Sequence, residues 1–122
     1  SMGRVLLASM DEEELDNYFS TTERAPYTQH TVTDEKALRD ILAQVRADGY
    51  AAVDQELELG VRSVAVPVRA RSENTLAALN VSGHAARVSM RDMRRNFLPP
   101  LQAAASAITA ALSGDMPQTI SG

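Results

Sequence analysis

Three small polar side chains interrupt otherwise apolar runs. Ser63 sits in Val61-Arg62-Ser63-Val64-Ala65-Val66, and Asn80 and Ser82 sit in Ala77-Ala78-Leu79-Asn80-Val81-Ser82. Hydroxyls and amides set into an apolar sheet are what a small-molecule pocket uses to fix a ligand's orientation. Taken singly, each reads better as a side chain bonding nearby backbone; convergence of all three would make a site. Arg62 is ordinarily a solvated arginine, but beside such a pocket it would pair with a ligand carboxylate. Catalytic chemistry has less support. There is no glycine-rich phosphate loop, no H-E-x-x-H and no G-x-S-x-G. His30 and His84 lie in polar, loop-like segments and read as exposed or satisfied rather than as ligands. Glu56 and Glu58 would point the same way in a strand and be solvated in a turn, a weak acid–base pair. With no cysteine, disulfides, thiolate zinc sites and cysteine nucleophiles are excluded. No metal and no cofactor is expected.

The elements that must position these residues follow from periodicity. Val61 to Arg69 alternates and is rich in β-branched residues, with Pro67 marking an edge or bulge position. Thr75 to Ser82 alternates too, placing Leu76, Ala78, Asn80 and Ser82 on one face and Ala77, Leu79 and Val81 on the other. The polar stretch Arg71-Ser72-Glu73-Asn74 is short enough to make the two strands antiparallel neighbours. Ser63, Asn80 and Ser82 should then line one concavity, with the helix start at Gly3 as its floor. Tyr50 to Val53 reads as a further strand, followed by the acidic segment Asp54 to Glu58 and a turn at Gly60.

Helices account for the rest. Gly3 to Ala8 is an apolar helical turn, and Ser9-Met10-Asp11-Glu12 has capping-box spacing ahead of Leu15, Tyr18 and Phe19. Polar residues Thr21 to Thr31, including Pro26, end that helix. Thr33 is the expected N-cap of a helix carrying the stripe Leu38, Ile41, Leu42 and Val45 and stopping at Gly49. Ser89 should cap Met90 to Phe97, and Pro99-Pro100 should interrupt it before a last helix begins at Pro100. In that last helix Leu101, Ala104, Ala105, Ile108, Ala111 and Leu112 form the expected core stripe. The small opposite face, Ala103, Ala107 and Ala110, is the expected subunit contact.

The chain's 122 residues suit one domain, and 44% hydrophobic against 23% charged is an ordinary globular balance. No apolar run approaches the length of a membrane span, so no membrane partner is expected. The net charge is −4, and of 12 basic residues only Lys36 is a lysine, the arginines being scattered. A nucleic-acid binder concentrates positive charge on one face, so this chain alone is a poor DNA binder. Absent cysteines suit a cytoplasmic location.

Several segments together resemble the effector-binding domain of IclR-type transcriptional regulators: Gly3-Arg4-Val5-Leu6-Leu7-Ala8, Gly49-Tyr50 through Asp54-Gln55-Glu56 to Gly60, Arg62-Ser63-Val64-Ala65-Val66-Pro67 and Ala77 to Ser82. Val53 to Glu58, His84 to Ser89 and Phe97-Leu98-Pro99-Pro100-Leu101 look closest to its PcaR/PcaU/PobR branch. The resemblance implies an α+β fold, a curved antiparallel sheet with packed helices of GAF/profilin-like type, here N-terminally truncated. Residues 1–112 would form the C-terminal part of that domain and 113–122 a flexible tail. It also implies that the winged helix-turn-helix is absent, so DNA is contacted only through that missing N-terminal domain. Pocket positions carried over are Gly3, Ser63, Asn80 and Ser82, with Arg62 added as a branch feature. A helix start at Gly3 would favour a carboxylate. Where some relatives have an acidic pocket residue, Val53 suits an apolar or aromatic ligand body.

The expectation is a non-enzymatic, ligand-sensing part of a regulator that works as a homo-oligomer, a dimer or tetramer. Its effector would be a small carboxylate, an aromatic acid or β-ketoadipate-pathway intermediate, controlling DNA binding allosterically. The alternatives are a structural dimerisation module with a vestigial pocket, and an enzyme on the same fold.

Overall fold

Within the segment Val61–Arg69 the run Val64 to Val68 is apolar throughout because both of its faces are covered, as the central strand of a sheet requires. A computed structural model describes residues 1–22, 29, 31–70 and 74–112. Three strands, β1 (Ala51–Asp54), β2 (Val61–Arg69) and β3 (Thr75–His84), form an open antiparallel sheet in the order β1-β2-β3. Val53 pairs with Ser63 and Ser63 with Ser82; Ala51 pairs with Ala65 and Ala65 with Asn80. Directly paired residues share a face, so Ala51, Val53, Ser63, Ala65, Asn80 and Ser82 all belong to one side.

Helices α1 (Met2–Ala8), α2 (Glu12–Thr21) and α3 (Glu35–Asp48) cover that side. Val5, Ala8, Leu15, Phe19, Leu42 and Val45 close over Ala51 and Ala65 as one core. Outside it, Arg39 joins α3 to α2, binding Asp16 at 2.7 Å and stacking over the Phe19 ring at 4.8 Å. The other side receives α4 (Met90–Asp92), a π-helical turn (Met93–Phe97) and α5 (Leu98–Leu112). There Val66 and Val68 pack on Leu98 and Ala105. The fold is therefore helices, sheet, helices, with β2 in the middle.

Several local expectations move. The capping box of α2 is Asp11 with Glu14, whose reciprocal bonds are both formed, while Ser9 ends α1 and donates to the Leu6 carbonyl at 2.6 Å. Asp34, not Thr33, caps α3, accepting from the Ala37 amide at 2.9 Å. Pro67 lies beyond the last β1 pair, where β2 has only β3 beside it, and a register shift follows at Val68/Arg69. The missing N–H is tolerated there.

Pro99-Pro100 do not break the C-terminal helix: Leu98 stays helical at φ −63, ψ −47. Its amide bonds back to the Met93 carbonyl, five residues earlier, and this wider π turn gives the proline rings room. The expected core stripe of α5 is also corrected. Leu98, Leu101 and Ala105 face the sheet, whereas Ala104, Ile108, Ala111 and Leu112 are exposed. Residues Arg71 to Glu73 of the expected turn, His30 and the expected tail 113–122 lie outside the described residues.

Candidate ligand-binding site

The row Val53–Ser63–Ser82 runs across all three strands, with neighbouring strands about 4.8 Å apart. Ser63 and Val53 are buried and form the base of a cavity of about 290 Å³. Ser1, Met2 and Gly3 at the start of α1 form one wall; Leu57, Glu58 and Val61 form another; Asn80 and Ser82 close the third. Gly3, Ser63, Asn80 and Ser82 are thus brought together as expected, although the sheet, not the helix start, is the floor. The Ser63 hydroxyl bonds that of Ser1 at 3.0 Å.

Arg62 is not at the cavity. It pairs with Gly83, on the opposite face. There its guanidinium donates to Asp54 at 2.8 Å and to the Val88 carbonyl at 2.9 Å. The physical reason is the two-residue period of a strand: a neighbour of Ser63 must point away from it.

The walls are held by groups whose role no spacing announces. Arg4 grips Glu56 with two hydrogen bonds, one of them at 2.8 Å, and both side chains are nearly buried. Thr31 donates its hydroxyl to the Glu56 carbonyl. Gln55 adopts a left-handed φ of 60, and its side-chain oxygen accepts from the Gly60 amide at 3.0 Å. The loop from Asp54 to Val61 is thereby folded back on itself, presenting Leu57 and Glu58 to the cavity. Glu58 and Leu57 were not among the expected site residues; a loop residue's direction has no period from which to read it.

A larger cavity of about 610 Å³ opens at the other end of α1, between Glu14, Arg46, Arg69 and Pro67. Arg46 is already committed there, donating to the carbonyls of Ala8 at 2.6 Å and Met10 at 3.3 Å. That cleft lies over the end of α1, and its small polar residues Ser9, Asn74 and Thr75 do not form one row across paired strands. Among the described residues no group of three or more histidine or carboxylate side chains could hold a metal, and no helix is long and apolar enough to cross a membrane.

This combination, small polar groups converging on an open sheet between packed helices, defines a ligand-sensing α+β domain. Residues 1–110 match the family described as the bacterial transcriptional regulator IclR C-terminal domain, and the chain belongs to that family as an effector-binding domain. The Pca regulon regulatory protein of Pseudomonas putida is 45% identical over 93% of this chain. KdgR, a helix-turn-helix regulator of Escherichia coli K12, is 34% identical over 90% of it. This chain spans 39% and 41% of those two regulators' lengths. A solved regulator from Rhodococcus superimposes with a TM-score of 0.90 at 42% identity, covering 94% of this chain and 46% of that one. The inducer-binding domain of PobR from Acinetobacter, a double mutant solved with 3-hydroxybenzoic acid, gives 0.86 at 33% identity, covering 89% and 62%. The relatives are transcriptional regulators, not enzymes.

Proposed function

We propose that this chain senses a small aromatic carboxylic acid, or a product of aromatic ring cleavage, in the cavity at Gly3, Ser63, Asn80 and Ser82. The observation that carries this reading is the convergence of those positions from α1, β2 and β3 on one cavity with a buried Val53 at its base. Val53, Val61 and Leu57 offer an apolar bed for a ring, and the hydroxyls and amide offer donors to a carboxylate. With seven residues α1 carries a weak dipole, so these side-chain donors do most of the anion recognition. The PobR relative, whose inducer-binding domain was solved with 3-hydroxybenzoic acid, supports the same ligand class.

In the cytoplasm, as part of a homo-oligomeric regulator, the effector would favour one arrangement of the domain. That preference biases the spacing of DNA-binding elements outside this chain. Thermal-shift and calorimetric titration against benzoates and keto acids test the reading. We expect a hydroxybenzoate to raise the melting temperature, and Ser63→Ala with Asn80→Ala to weaken binding at least tenfold. A flat response to every acid, in a chain that melts cooperatively, would leave the structural-module reading in its place.

A further inference from the structure

Among the described residues, Glu58 is the one titratable side chain lining the cavity. Only its backbone carbonyl is engaged, by the Val61 amide at 3.3 Å, and its carboxylate makes no ion pair among the described residues. The arginines nearest in sequence to the walls are both matched elsewhere: Arg4 by Glu56, and Arg62 by Asp54 across the sheet. The donors that remain, the side chains of Ser63, Asn80 and Ser82, are enough for one carboxylate. A second carboxylate would find, among the described residues lining the cavity, no arginine or lysine to match it, and would face Glu58. A hydroxyl in the same place would find an acceptor.

We propose that Glu58 determines effector class at this site, selecting a monocarboxylate that carries a hydroxyl over a dicarboxylate of the same shape. The inference rests on the ligand-sensing reading above and narrows it, among aromatic acids and ring-cleavage products, to ligands with a single carboxylate. Its physical basis is asymmetric. A ligand hydroxyl donating to a carboxylate makes a charge-assisted bond, whereas a like charge brought against an unmatched carboxylate raises the cost of binding. Because Glu58 sits at an exposed wall and not on the buried base, the discrimination should be about tenfold rather than thousandfold.

The test uses three probes that differ at one ring position: benzoate, 3-hydroxybenzoate and isophthalate, titrated calorimetrically into the full chain. For the unsubstituted chain, 3-hydroxybenzoate should bind at least tenfold tighter than benzoate and isophthalate more weakly than benzoate. Glu58→Gln removes the charge and keeps an acceptor, so the isophthalate-to-benzoate affinity ratio should rise at least tenfold. Glu58→Ala removes both, so the preference for 3-hydroxybenzoate over benzoate should fall below threefold. Binding of isophthalate as tight as that of 3-hydroxybenzoate, or ratios unmoved by either variant, overturns the role of Glu58 and leaves the pocket standing. If none of the three acids binds, the role given to Glu58 falls; if the keto acids fail to bind as well, the pocket reading falls with it.

Discussion

Arg62 and Ser63 are neighbours in the chain and occupy opposite faces of the sheet, Arg62 opposite Gly83 and Ser63 opposite Ser82. One therefore fastens the turn after β3 to β1, and the other forms the base of the cavity. The two substitutions should separate cleanly. Arg62→Ala removes charge-assisted bonds to Asp54 and the Val88 carbonyl and should cost about 2 kcal/mol in urea denaturation. It should leave ligand affinity within about twofold. Ser63→Ala should do the reverse, with a small loss of stability and a large loss of affinity. Equal effects of Arg62→Ala and Ser63→Ala on binding would return Arg62 to the ligand.

Arg4 and Glu56 tie α1 to the loop that forms the opposite wall, with side-chain exposures of 13% and 15%. Removing one partner from a nearly buried pair strands the other charge, so Arg4→Ala or Glu56→Ala should each cost about 3 kcal/mol. The double replacement Arg4→Met with Glu56→Leu should recover most of that, because neither charge is left unmatched. A double-mutant cycle by chemical denaturation measures the coupling. A coupling energy near zero would mean that the two walls are held by packing alone.

The parts of this architecture that were legible are those with an unambiguous period. The stripe Leu38, Ile41, Leu42 and Val45 and the alternation around Ser63, Asn80 and Ser82 each allow one solution, and the structure adopts it. The same alternation places Arg62 on the face opposite Ser63, so their proximity in sequence carries no proximity in the site. Two other features carried no decisive signal. In α5 alanine occurs all round the helix, so apolar spacing cannot single out the buried face. Ser9/Glu12 and Asp11/Glu14 both have capping-box spacing, and the choice falls to where α1 ends. The π turn before Pro99 is a third case, since local rules for proline assume an α-helical neighbour.

Two glycines should respond oppositely to alanine. Gly60 has a φ of 85, and a Cβ there would lie 3.6 Å from the His84 ring. The left-handed backbone strain makes Gly60→Ala destabilising by about 1–2 kcal/mol. Gly3 lies within α1, and a Cβ there meets nothing within 4 Å. Helix propensity then makes Gly3→Ala stabilising by about 0.5–1 kcal/mol. Urea midpoints with unchanged slopes would establish both values; a stabilising Gly60→Ala would contradict the loop geometry described above.

The orientation of α5 can be tested by contrast between Leu98 and Ile108. Leu98 is 7% exposed and packs with Val66, Val68 and Ala105, whereas Ile108 is 37% exposed on the outer side. Truncating Leu98 to alanine removes buried methyl groups and leaves a cavity against β2, so it should cost about 2–4 kcal/mol. Ile108→Ser trades an exposed apolar side chain for a polar one, at about 0.5 kcal/mol of β-branched packing and propensity change. Denaturation should be followed at two protein concentrations a hundredfold apart. For the isolated fold, the Ile108→Ser cost stays small at both. A cost that approaches that of Leu98→Ala and grows with concentration would show that the outer side of α5 is covered by a second copy. Equal, concentration-independent costs would instead mean that α5 turns Ile108 toward the sheet, contrary to the packing of Leu98, Leu101 and Ala105.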